Sequence, residues 1–488
     1  MRIFNRIHQK LNWSNRRYVG LIIGMLALGY LASAIYHMYK PIPEGLNYTG
    51  KLRHANVKFI ADSTYIDSSG KQQQEHQIFN EIINLIEQAQ TTIVLDMFLF
   101  NSEVGASTQS QRALTQELTD KLILKRRLMP NIEIKLITDP INSVYGGLAP
   151  EHYRQLRQAG VDVIETNLAP LRASNPMWSG IWYFCCQSLG NNSEKGWLTN
   201  PFGDGEITLR SYLHLFNFKA NHRKTLVVDT TEGWKTLVTS MNPHDGSSRH
   251  SNVALVVDGH TAIDILNTEQ TVAMMSKSNI PMVVVGDVQQ DQQLPQVQVL
   301  TEKAIYDAIL KSIQSSQKAG EEIDLAMFYL SERKIINALI DAHERGVKVR
   351  ILLDPNKDAF GRTKNGIPNR PVASELHNAG IPVRWCNTQG EQCHSKMLIK
   401  RGLDKSELIL GSANFTARNL KNYNLETNLR VLGQSNSQVM HDAESYFNQA
   451  WSNLDQKNMS VDYERYADES KLKYALYRFM EWSGISTF

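Results

Sequence analysis

Two histidine–lysine pairs are the residues of this sequence best suited to chemistry. His222 and Lys224 stand two positions apart, and His394 and Lys396 repeat that spacing 172 positions further along the chain. Each pair opens a run of apolar, β-forming residues. Because side chains alternate along a strand, the histidine and the lysine of each pair are expected to face the same side.

Further polar residues repeat downstream of each pair at the same offset. The matched positions are Ser240 with Ser412, Asn242 with Asn414, and Asn252 with Asn424. Packing alone would preserve apolar positions rather than these polar ones. The coincidences therefore predict a duplicated functional site and not two ordinary surface strands.

This set of side chains suits a phosphodiester. Two lysines supply positive charge for the non-bridging oxygens, and the matched serines and asparagines add hydrogen-bond donors. The predicted phosphate-binding residues are Ser240, Asn242, Ser412 and Asn414. Two histidines allow one to attack phosphorus, forming a phosphohistidine, while the other protonates the leaving alcohol. We expect no metal and no other cofactor, because no obvious histidine and carboxylate cluster has metal-ligand spacing.

Strand-like segments also recur along the chain, separated by helical patterns. The recurring pairs are TTIVLDMFLFN (91–101) with EIDLAMFYLS (322–331), IEIKLITDP (132–140) with VKVRILLDP (347–355), and AGVDVIETN (159–167) with AGIPVRWCN (379–387). Such alternation predicts an α/β fold of two fused halves with pseudo-two-fold symmetry. The sheets are expected to be mixed, mostly parallel and flanked by helices.

The repeats set the predicted domain boundaries. These are a first half over 55–275, a linker over 276–298, a second half over 299–435 and C-terminal helices over 436–488. The first half carries an aromatic insertion over about 168–219, which is either a lid or binding loop or a flap packed on the sheet. The last helical pattern, about 469–482, mixes basic and aromatic residues and either lies on a membrane surface or caps a domain.

An apolar segment near the N-terminus predicts a membrane helix. Residues 18–39 have no formal charge except on His37, and they follow a tail, residues 1–17, with five basic and no acidic side chains. The positive-inside rule places that tail in the cytoplasm and, after a linker over 40–54, the body outside. The alternative is a cleaved signal peptide, because Ala32-Ser33-Ala34 has the form of a cleavage site.

Composition excludes several classes of protein. The chain has 488 residues, of which 42% are hydrophobic and 21% charged, and a mean hydropathy of −0.34. These values exclude a disordered chain and a polytopic membrane protein. The net charge is +3, but beyond the basic tail 47 basic residues face 49 acidic ones. We therefore expect no nucleic-acid partner, since phosphate-backbone affinity needs a basic surface.

The motifs resemble those of the phospholipase D superfamily. His222-x-Lys224-x4-Asp229 is similar to its H-x-K-x4-D motif, and GSANFTARNLKNYNLE (411–426) is similar to its downstream G-S-x-N-x3-R-x5-N-x-E signature. The resemblance covers about residues 55–435, and with the N-terminal anchor it is strongest to the bacterial cardiolipin synthase-type branch. It implies one site between the two halves and phosphatidyl transfer or phospholipid hydrolysis without a metal. Phosphatidylglycerol or phosphatidylethanolamine is the expected substrate, at a bacterial inner membrane with the body on the periplasmic side.

The sequence departs from the family pattern in both copies. Arg401 stands at the aspartate position of the second copy, and Ala254 stands in the first copy where the second has Glu426. The resemblance implies that Glu426 orients the histidine of its own half, which leaves His222 without a carboxylate. By the family's default His222 attacks and His394 is the acid and base; the reverse assignment stays open.

Some interpretations remain open at this stage. Asp229 is counted with the catalytic residues, although the aspartate of this motif is usually structural. Cys386 and Cys393 are either a disulfide or two thiols, and Cys185 and Cys186 are expected to pack as thiols. The alternative functions are a nuclease or other phosphodiesterase of the same superfamily, and a lipid-binding relative with weakened catalysis.

Overall fold

The structure is a computed structural model that describes residues 14–280, 283, 291–317, 320–486 and 488. Most of the predicted basic tail and part of the predicted linker over 276–298 lie outside the described residues. In the described part of the chain the α-helices are α1 (Asn15–Tyr39), α2 (Ile78–Gln88), α3 (Leu114–Leu128), α4 (Glu151–Gln158), α5 (Pro176–Ile181), α6 (Leu209–Leu215), α7 (His260–Met275), α8 (Lys303–Gln314), α9 (Arg333–Glu344), α10 (Asn369–Asn378), α11 (Ala417–Leu420), α12 (Gln438–Ser452) and α13 (Lys471–Ser483).

The strands of the same residues form two large sheets and two small hairpins. They are β1 (Arg53–His54), β2 (Val57–Ile66), β3 (Gln72–Glu75), β4 (Thr92–Met97), β5 (Glu133–Thr138), β6 (Asp162–Glu165), β7 (Leu198–Thr199), β8 (Glu206–Ile207), β9 (Lys224–Thr230), β10 (Gly233–Thr239), β11 (Asn252–Asp258), β12 (Gln296–Thr301), β13 (Glu322–Met327), β14 (Lys348–Leu353), β15 (Asp358–Ala359), β16 (Arg362–Thr363), β17 (Val383–Cys386), β18 (Lys396–Arg401), β19 (Lys405–Gly411), β20 (Thr427–Gln434) and β21 (Ser460–Asp462).

The two large sheets share one strand order. The first sheet runs β3-β2-β11-β10-β9-β4-β5-β6, and the second runs β1-β12-β20-β19-β18-β13-β14-β17-β21. Without the edge strands β1, β3 and β21, seven strands follow the same succession in both sheets. The strands that carry the lysines, β9 and β18, are therefore central and occupy equivalent places.

The predicted α/β fold with mixed sheets is confirmed, but parallel pairs are fewer than expected. In the first sheet only β4–β5 and β5–β6 are parallel among the described strands, and in the second only β13–β14 and β14–β17. The prediction of mostly parallel sheets was wrong because β9–β10 and β18–β19 are hairpins with short connections, and the next strands, β11 and β20, also pair antiparallel. Short connections can join only antiparallel neighbours.

Amphipathic helices cover the sheets and close the core. In α2 the apolar residues recur at helical spacing, and Ile78, Phe79, Ile82, Leu85 and Ile86 are buried. In α9 the same spacing buries Ile335, Ile336 and Leu339. This packing holds β4 and β13, and with them the adjoining β9 and β18, in fixed positions.

The predicted insertion contains α5, a π-helical turn over Trp182–Cys186 and α6. It lies against α1 rather than over the sheet, through contacts of α5 and the π-helical turn with that helix. In the described residues, α1 is the one helix long and apolar enough to cross a membrane, and none of its residues is fully buried in the protein.

Candidate active site

The two histidine–lysine pairs lie at the starts of β9 and β18 and have the same local geometry. Lys224 Nζ donates to the carbonyl oxygen of His222 at 2.7 Å, and Lys396 Nζ donates to that of His394 at 2.8 Å. All four residues are buried. Each ammonium is therefore held beside the histidine of its own pair.

Backbone hydrogen bonds join the two sheets at the histidines. The His222 N–H donates to the Leu425 carbonyl at 2.9 Å, and the His394 N–H donates to the Ser251 carbonyl at 2.8 Å. Each histidine is thus fixed to a segment of the other half, one residue before Glu426 or Asn252. Because these bridges are equivalent, both pairs converge where the sheets meet.

The partner of each histidine ring comes from the opposite half of the chain. His222 Nδ1 lies 2.9 Å from Glu426 Oε1, while His394 Nδ1 lies 3.1 Å from Asn252 Oδ1. The expectation that Glu426 serves His394 was wrong, because the crossed backbone bridges bring Glu426 to His222. His222 has a carboxylate partner and His394 has an amide.

Both Nδ1 atoms carry a proton, as their partners dictate. A carboxylate oxygen only accepts, so His222 Nδ1 donates to Glu426. The Asn252 amide nitrogen donates to the His250 carbonyl at 3.1 Å, which turns Asn252 Oδ1 toward His394. The Nε2 atom of each neutral ring is left with its lone pair.

The strand register shows which residue of the first half matches Glu426. Val253 N–H donates to Ser240 Oγ at 3.1 Å, and Thr427 N–H donates to Ser412 Oγ at 3.0 Å. The residues before these donors are Asn252 and Glu426. Matching Glu426 with Ala254 was therefore wrong.

A loop of different length hid that match. Ser240 precedes Asn252 by 12 positions, whereas Ser412 precedes Glu426 by 14. Counting at a constant offset paired Asn252 with Asn424, which instead accepts a hydrogen bond from Ala220 N–H at 3.1 Å. Comparing these two spacings is the sequence signal that would have found Asn252.

The matched serines bind the partners of the histidines. Ser240 Oγ donates to Asn252 Oδ1 at 3.0 Å, and Ser412 Oγ donates to Glu426. A hydroxyl has one proton to donate, so these groups as placed do not offer it to a phosphate. The structure gives Ser240 and Ser412 a positioning geometry in place of the predicted phosphate contact.

The matched asparagines remain beside the site. Both Asn242 and Asn414 are buried. Asn242 Oδ1 accepts from Leu99 N–H at 3.4 Å, whereas Asn414 Oδ1 has no hydrogen-bond partner among the described residues. An unpaired buried polar group is costly, so Asn414 is suited to a ligand that completes its hydrogen bonds.

The motif aspartate lies outside this site. Asp229 is near the far end of β9, where it accepts from Thr91 N–H at 2.9 Å and from Thr92 N–H at 2.7 Å. It therefore fixes the start of β4, and counting it as catalytic was wrong. Arg401 has the equivalent place on β18 and pairs with Asp324 on the neighbouring strand at 2.7 Å. The departure at Arg401 is a change of structural ion pairing remote from the histidines.

Two aspartates that precede prolines hold the residues before the histidines. Asp139 accepts from Asn221 N–H at 2.6 Å, and Asp354 accepts from Cys393 N–H at 2.8 Å. Both carboxyls are buried, which raises the pKa of Asp139 to about 7 and that of Asp354 to about 6. Each carboxyl thus holds the residue directly before a histidine, which is a positioning role that the sequence did not predict.

Aromatic rings border both pairs. Lys224 Nζ lies 4.9 Å from the Phe98 ring centre, and Lys396 Nζ lies 5.2 Å from that of Phe328. Each ring also packs on the histidine of the same pair, with 4.7 Å between the centres of Phe98 and His222. Phe98 and Phe328 each follow a methionine in the first pair of recurring strand segments. This shared Met-Phe dipeptide is the sequence signal that could have identified the two rings as equivalent neighbours of the site.

Burial shifts the basic groups toward their neutral forms. Burial lowers the pKa of His222 to about 4 against the opposing pull of Glu426, and it lowers the pKa of Lys224 to about 7. Burial and the neighbouring cations hold the pKa of His394 and of Lys396 well below the ordinary values. The charge of Lys224 is close enough to disfavour the protonated form of Lys396. A bound anion would relieve that repulsion.

The cysteines pair as disulfides in this structure. Cys386 is bonded to Cys393, with the two Cα atoms 6.1 Å apart, and the neighbouring Cys185 and Cys186 are bonded to each other. The expectation that Cys185 and Cys186 pack as thiols was therefore wrong. The Cys386–Cys393 bond closes the loop that leads directly into His394.

Known proteins resemble parts of this chain. Residues 309–451 match the family described as "Cardiolipin synthase, PLD-like domain". The chain is 38% identical over 106 residues to "Phospholipase D" of Rickettsia prowazekii, covering 21% of this chain and 45% of that protein. It is 29% identical over 115 residues to "Mitochondrial cardiolipin hydrolase" of Homo sapiens, covering 24% of this chain and 41% of that protein. The chain thus spans less than half the length of these curated relatives.

A solved structure shares the fold over nearly the whole chain. The crystal structure of phosphatidylserine synthase from Haemophilus influenzae matches 93% of this chain and 97% of its own, with a TM-score of 0.55 at 11% identity. Two mixed sheets of the same strand order, with crossed histidine partners, define an α/β protein built from two similar halves. In sequence, the chain is similar to proteins of the phospholipase D superfamily over these limited ranges.

Proposed function

We propose that this protein is a membrane-bound phosphatidyltransferase or phospholipase that cleaves the phosphodiester of membrane phospholipids through a phosphohistidine. The observation that carries the proposal is the convergence of two histidine–lysine pairs with a carboxylate behind only one histidine. Phosphatidylglycerol and phosphatidylethanolamine are the proposed substrates. The relatives named phospholipase D and cardiolipin hydrolase support this substrate class.

In the first step the His222 Nε2 lone pair attacks phosphorus. His394 enters this step as an imidazolium, with a second proton on Nε2 that the negative charge of the bound phosphodiester favours. The bond from phosphorus to the leaving oxygen breaks, and that oxygen takes the Nε2 proton, which leaves His394 neutral. Glu426 stabilises the positive charge that develops on the His222 ring, whereas the neutral Asn252 leaves His394 a stronger acid. This difference supports His222 as the proposed nucleophile. Lys224 and Lys396 balance the charge on the non-bridging oxygens.

In the second step the neutral His394 accepts a proton from water or an alcohol. The oxygen so activated attacks phosphorus and breaks the bond to His222 Nε2, which regains its lone pair. Water as the acceptor gives hydrolysis, and an alcohol gives transfer. Mass spectrometry of lipids after incubation with mixed phosphatidylglycerol and phosphatidylethanolamine identifies which acceptor is used.

The proposed location is a bacterial inner membrane with the catalytic body outside the cytoplasm. Helix α1 supplies the single span, and the five basic residues before its apolar stretch, residues 18–39, favour a cytoplasmic N-terminus. The packing of α1 on the insertion favours a retained helix, since cleavage after Ala34 would remove most of it. A retained span keeps the site beside its lipid substrate.

Trapping the covalent intermediate tests the function and the roles together. A short-chain phosphatidyl-p-nitrophenol needs no acid for its leaving group, so the His394→Ala protein is expected to release one equivalent of nitrophenolate and stall. Mass spectrometry under neutral quench should find the phosphatidyl group on His222. The His222→Ala protein should form no adduct, and the exposed His441→Ala change should leave turnover unaltered. An adduct on His394 in the His222→Ala protein would reverse the roles, and turnover in both variants would refute the shared site.

A further inference from the structure

The insertion of the first half packs along the C-terminal part of α1. Ser33 Oγ donates to the Gly180 carbonyl at 3.1 Å, and Tyr30 Oη donates to the Met177 carbonyl at 3.2 Å. A Cβ built on Gly180 would lie 2.8 Å from the Ala34 Cβ, so the two backbones approach as closely as a glycine permits. The two hydrogen bonds and the close backbone approach make this a specific packing contact.

The contact extends to the middle of α1. A Cβ built on Gly29 would lie 2.8 Å from the Phe184 ring, and Gly29 precedes the helix end at Tyr39 by ten residues. Ten residues of α-helix cover roughly 15 Å, which is half of a hydrocarbon core of about 30 Å. If α1 spans the bilayer, Phe184 lies near the depth of the bilayer centre.

The composition of the inserted segment fits that depth. From Ala173 to Ser193 the sequence contains no charged residue. The exposed apolar side chains of this segment include Met177, 56% exposed, and Phe184, which is 50% exposed beside α1. The backbone is helical from Pro176 to Cys186, so its polar groups are largely satisfied within the segment, as hydrocarbon requires.

The apolar surface continues onto the C-terminal helix α13. A Cβ built on Gly484, directly after α13, would clash with the Ser174 carbonyl, so the end of α13 lies at the base of the insertion. Trp482 and Phe479 of α13 are exposed, and Arg478 is on the same helix. Tryptophan beside basic residues is typical of the membrane–water interface.

We infer that residues 176–189 insert into the outer leaflet beside α1, where acyl chains of the bilayer cover Met177, Ile181, Phe184 and Leu189. The inference rests on the proposed span, and it adds a second, re-entrant membrane element that belongs to the catalytic half itself. The insertion ends at about Lys219, three residues before His222. The re-entrant segment therefore fixes the height of the site above the leaflet that holds its substrate.

Site-specific photocrosslinking in membranes of cells that make the full chain tests this inference. Photoreactive benzoyl-phenylalanine replaces Met177 in one variant and Phe184 in another. Met25, 54% exposed on α1, reports the span itself. Leu403 and Leu128, 88% and 70% exposed on other parts of the body, are the matched controls. Mass spectrometry identifies whether each probe forms a phospholipid adduct.

The expected result is lipid adducts at positions 25, 177 and 184 and none at positions 403 and 128. Adducts at position 25 alone would overturn the inference and leave the span intact. Absence of adducts at all five positions would overturn the span as well. Crosslinks from 177 and 184 to a second copy of the chain would make this face an oligomer interface and also contradict the inference.

Discussion

At the level of single residues, the two histidines differ in the atom that faces Nδ1. Glu426 gives His222 a carboxylate, and Asn252 gives His394 a neutral amide. A carboxylate behind an imidazole stabilises the positively charged ring, whereas an amide only orients it. The chemical roles of two otherwise equivalent histidines are thus separated by one functional group.

Removing that carboxylate charge tests its role. Glu426→Gln keeps the size and an oxygen but not the charge, so kcat is expected to fall by about a hundredfold or more with little change in KM. Steady-state kinetics on short-chain phosphatidylglycerol measures both constants, and Glu151→Gln, at an exposed surface pair, serves as the control. A kcat equal to that of the unaltered protein would show that Glu426 only supports the fold.

The buried lysines predict a pH dependence of anion binding. Burial lowers the pKa of Lys224 to about 7, so the free ammonium loses its proton above that pH. An anion binds the protonated lysine. Above pH 7, binding therefore requires Lys224 to take up a proton from solution. The Kd of a non-hydrolysable phosphonate analogue should therefore rise by up to about tenfold per pH unit above 7.

Calorimetry at pH 6 and pH 8 in buffers of different ionisation enthalpy measures this effect. Proton uptake on binding should appear at pH 8 and be much smaller at pH 6. Lys224→Arg keeps its charge at both pH values, so its binding should depend less on pH. Equal affinity of the unaltered protein at both pH values, without proton uptake, would contradict the assignment.

At the level of elements, the sequence was sufficient to predict the strands but not the contacts that join the two halves. The offset of 172 positions predicted that β9 and β18 are equivalent, because a constant offset preserves the histidine and lysine spacing. It could not predict that each histidine bonds to the other half, since the bridges of His222 to Leu425 and His394 to Ser251 are long-range. Asn252 was hidden for a second reason, which is the loop shortened by two residues.

The motif aspartate shows the limit of reading function from a motif. Asp229 and Arg401 occupy equivalent places on β9 and β18 but carry opposite charges. Each fixes its strand to the neighbouring one, Asp229 by accepting from a backbone N–H and Arg401 by pairing with a carboxylate. A local sequence pattern does not reveal whether a residue faces the site or the far edge of the sheet. Only the strand geometry separates Asp229 from Lys224, although both belong to β9.

At the level of the whole molecule, a buried ion network ties the two sheets together behind the site. Arg223 lies between His222 and Lys224 and points to the opposite face, where it pairs with Glu302 at 2.7 Å and Glu269 at 3.3 Å. Glu302 also accepts from the Glu426 N–H at 3.2 Å. The network therefore connects β9 of the first sheet to the end of β12 and the start of β20 in the second.

Breaking this network should destabilise the protein. Arg223→Ala leaves two buried carboxylates without their cation, so the free energy of unfolding is expected to fall by about 3–5 kcal/mol. Urea unfolding of the detergent-solubilised protein, followed by far-UV circular dichroism, measures the change. Arg154→Ala removes an exposed pair with Glu151 and should change stability by less than about 1 kcal/mol. Equal effects of the two changes would mean that the network adds no stability of its own.

The exchange of partners between the sheets has a consequence for the duplicated chain. A hypothetical assembly of two first halves would have an amide beside each histidine ring. An assembly of two second halves would have a carboxylate beside each ring. The halves have become complementary, and neither is a substitute for the other. Substitutions that loosen the contact between the halves should therefore separate each imidazole from its partner, and they would also open the apolar core that both halves share.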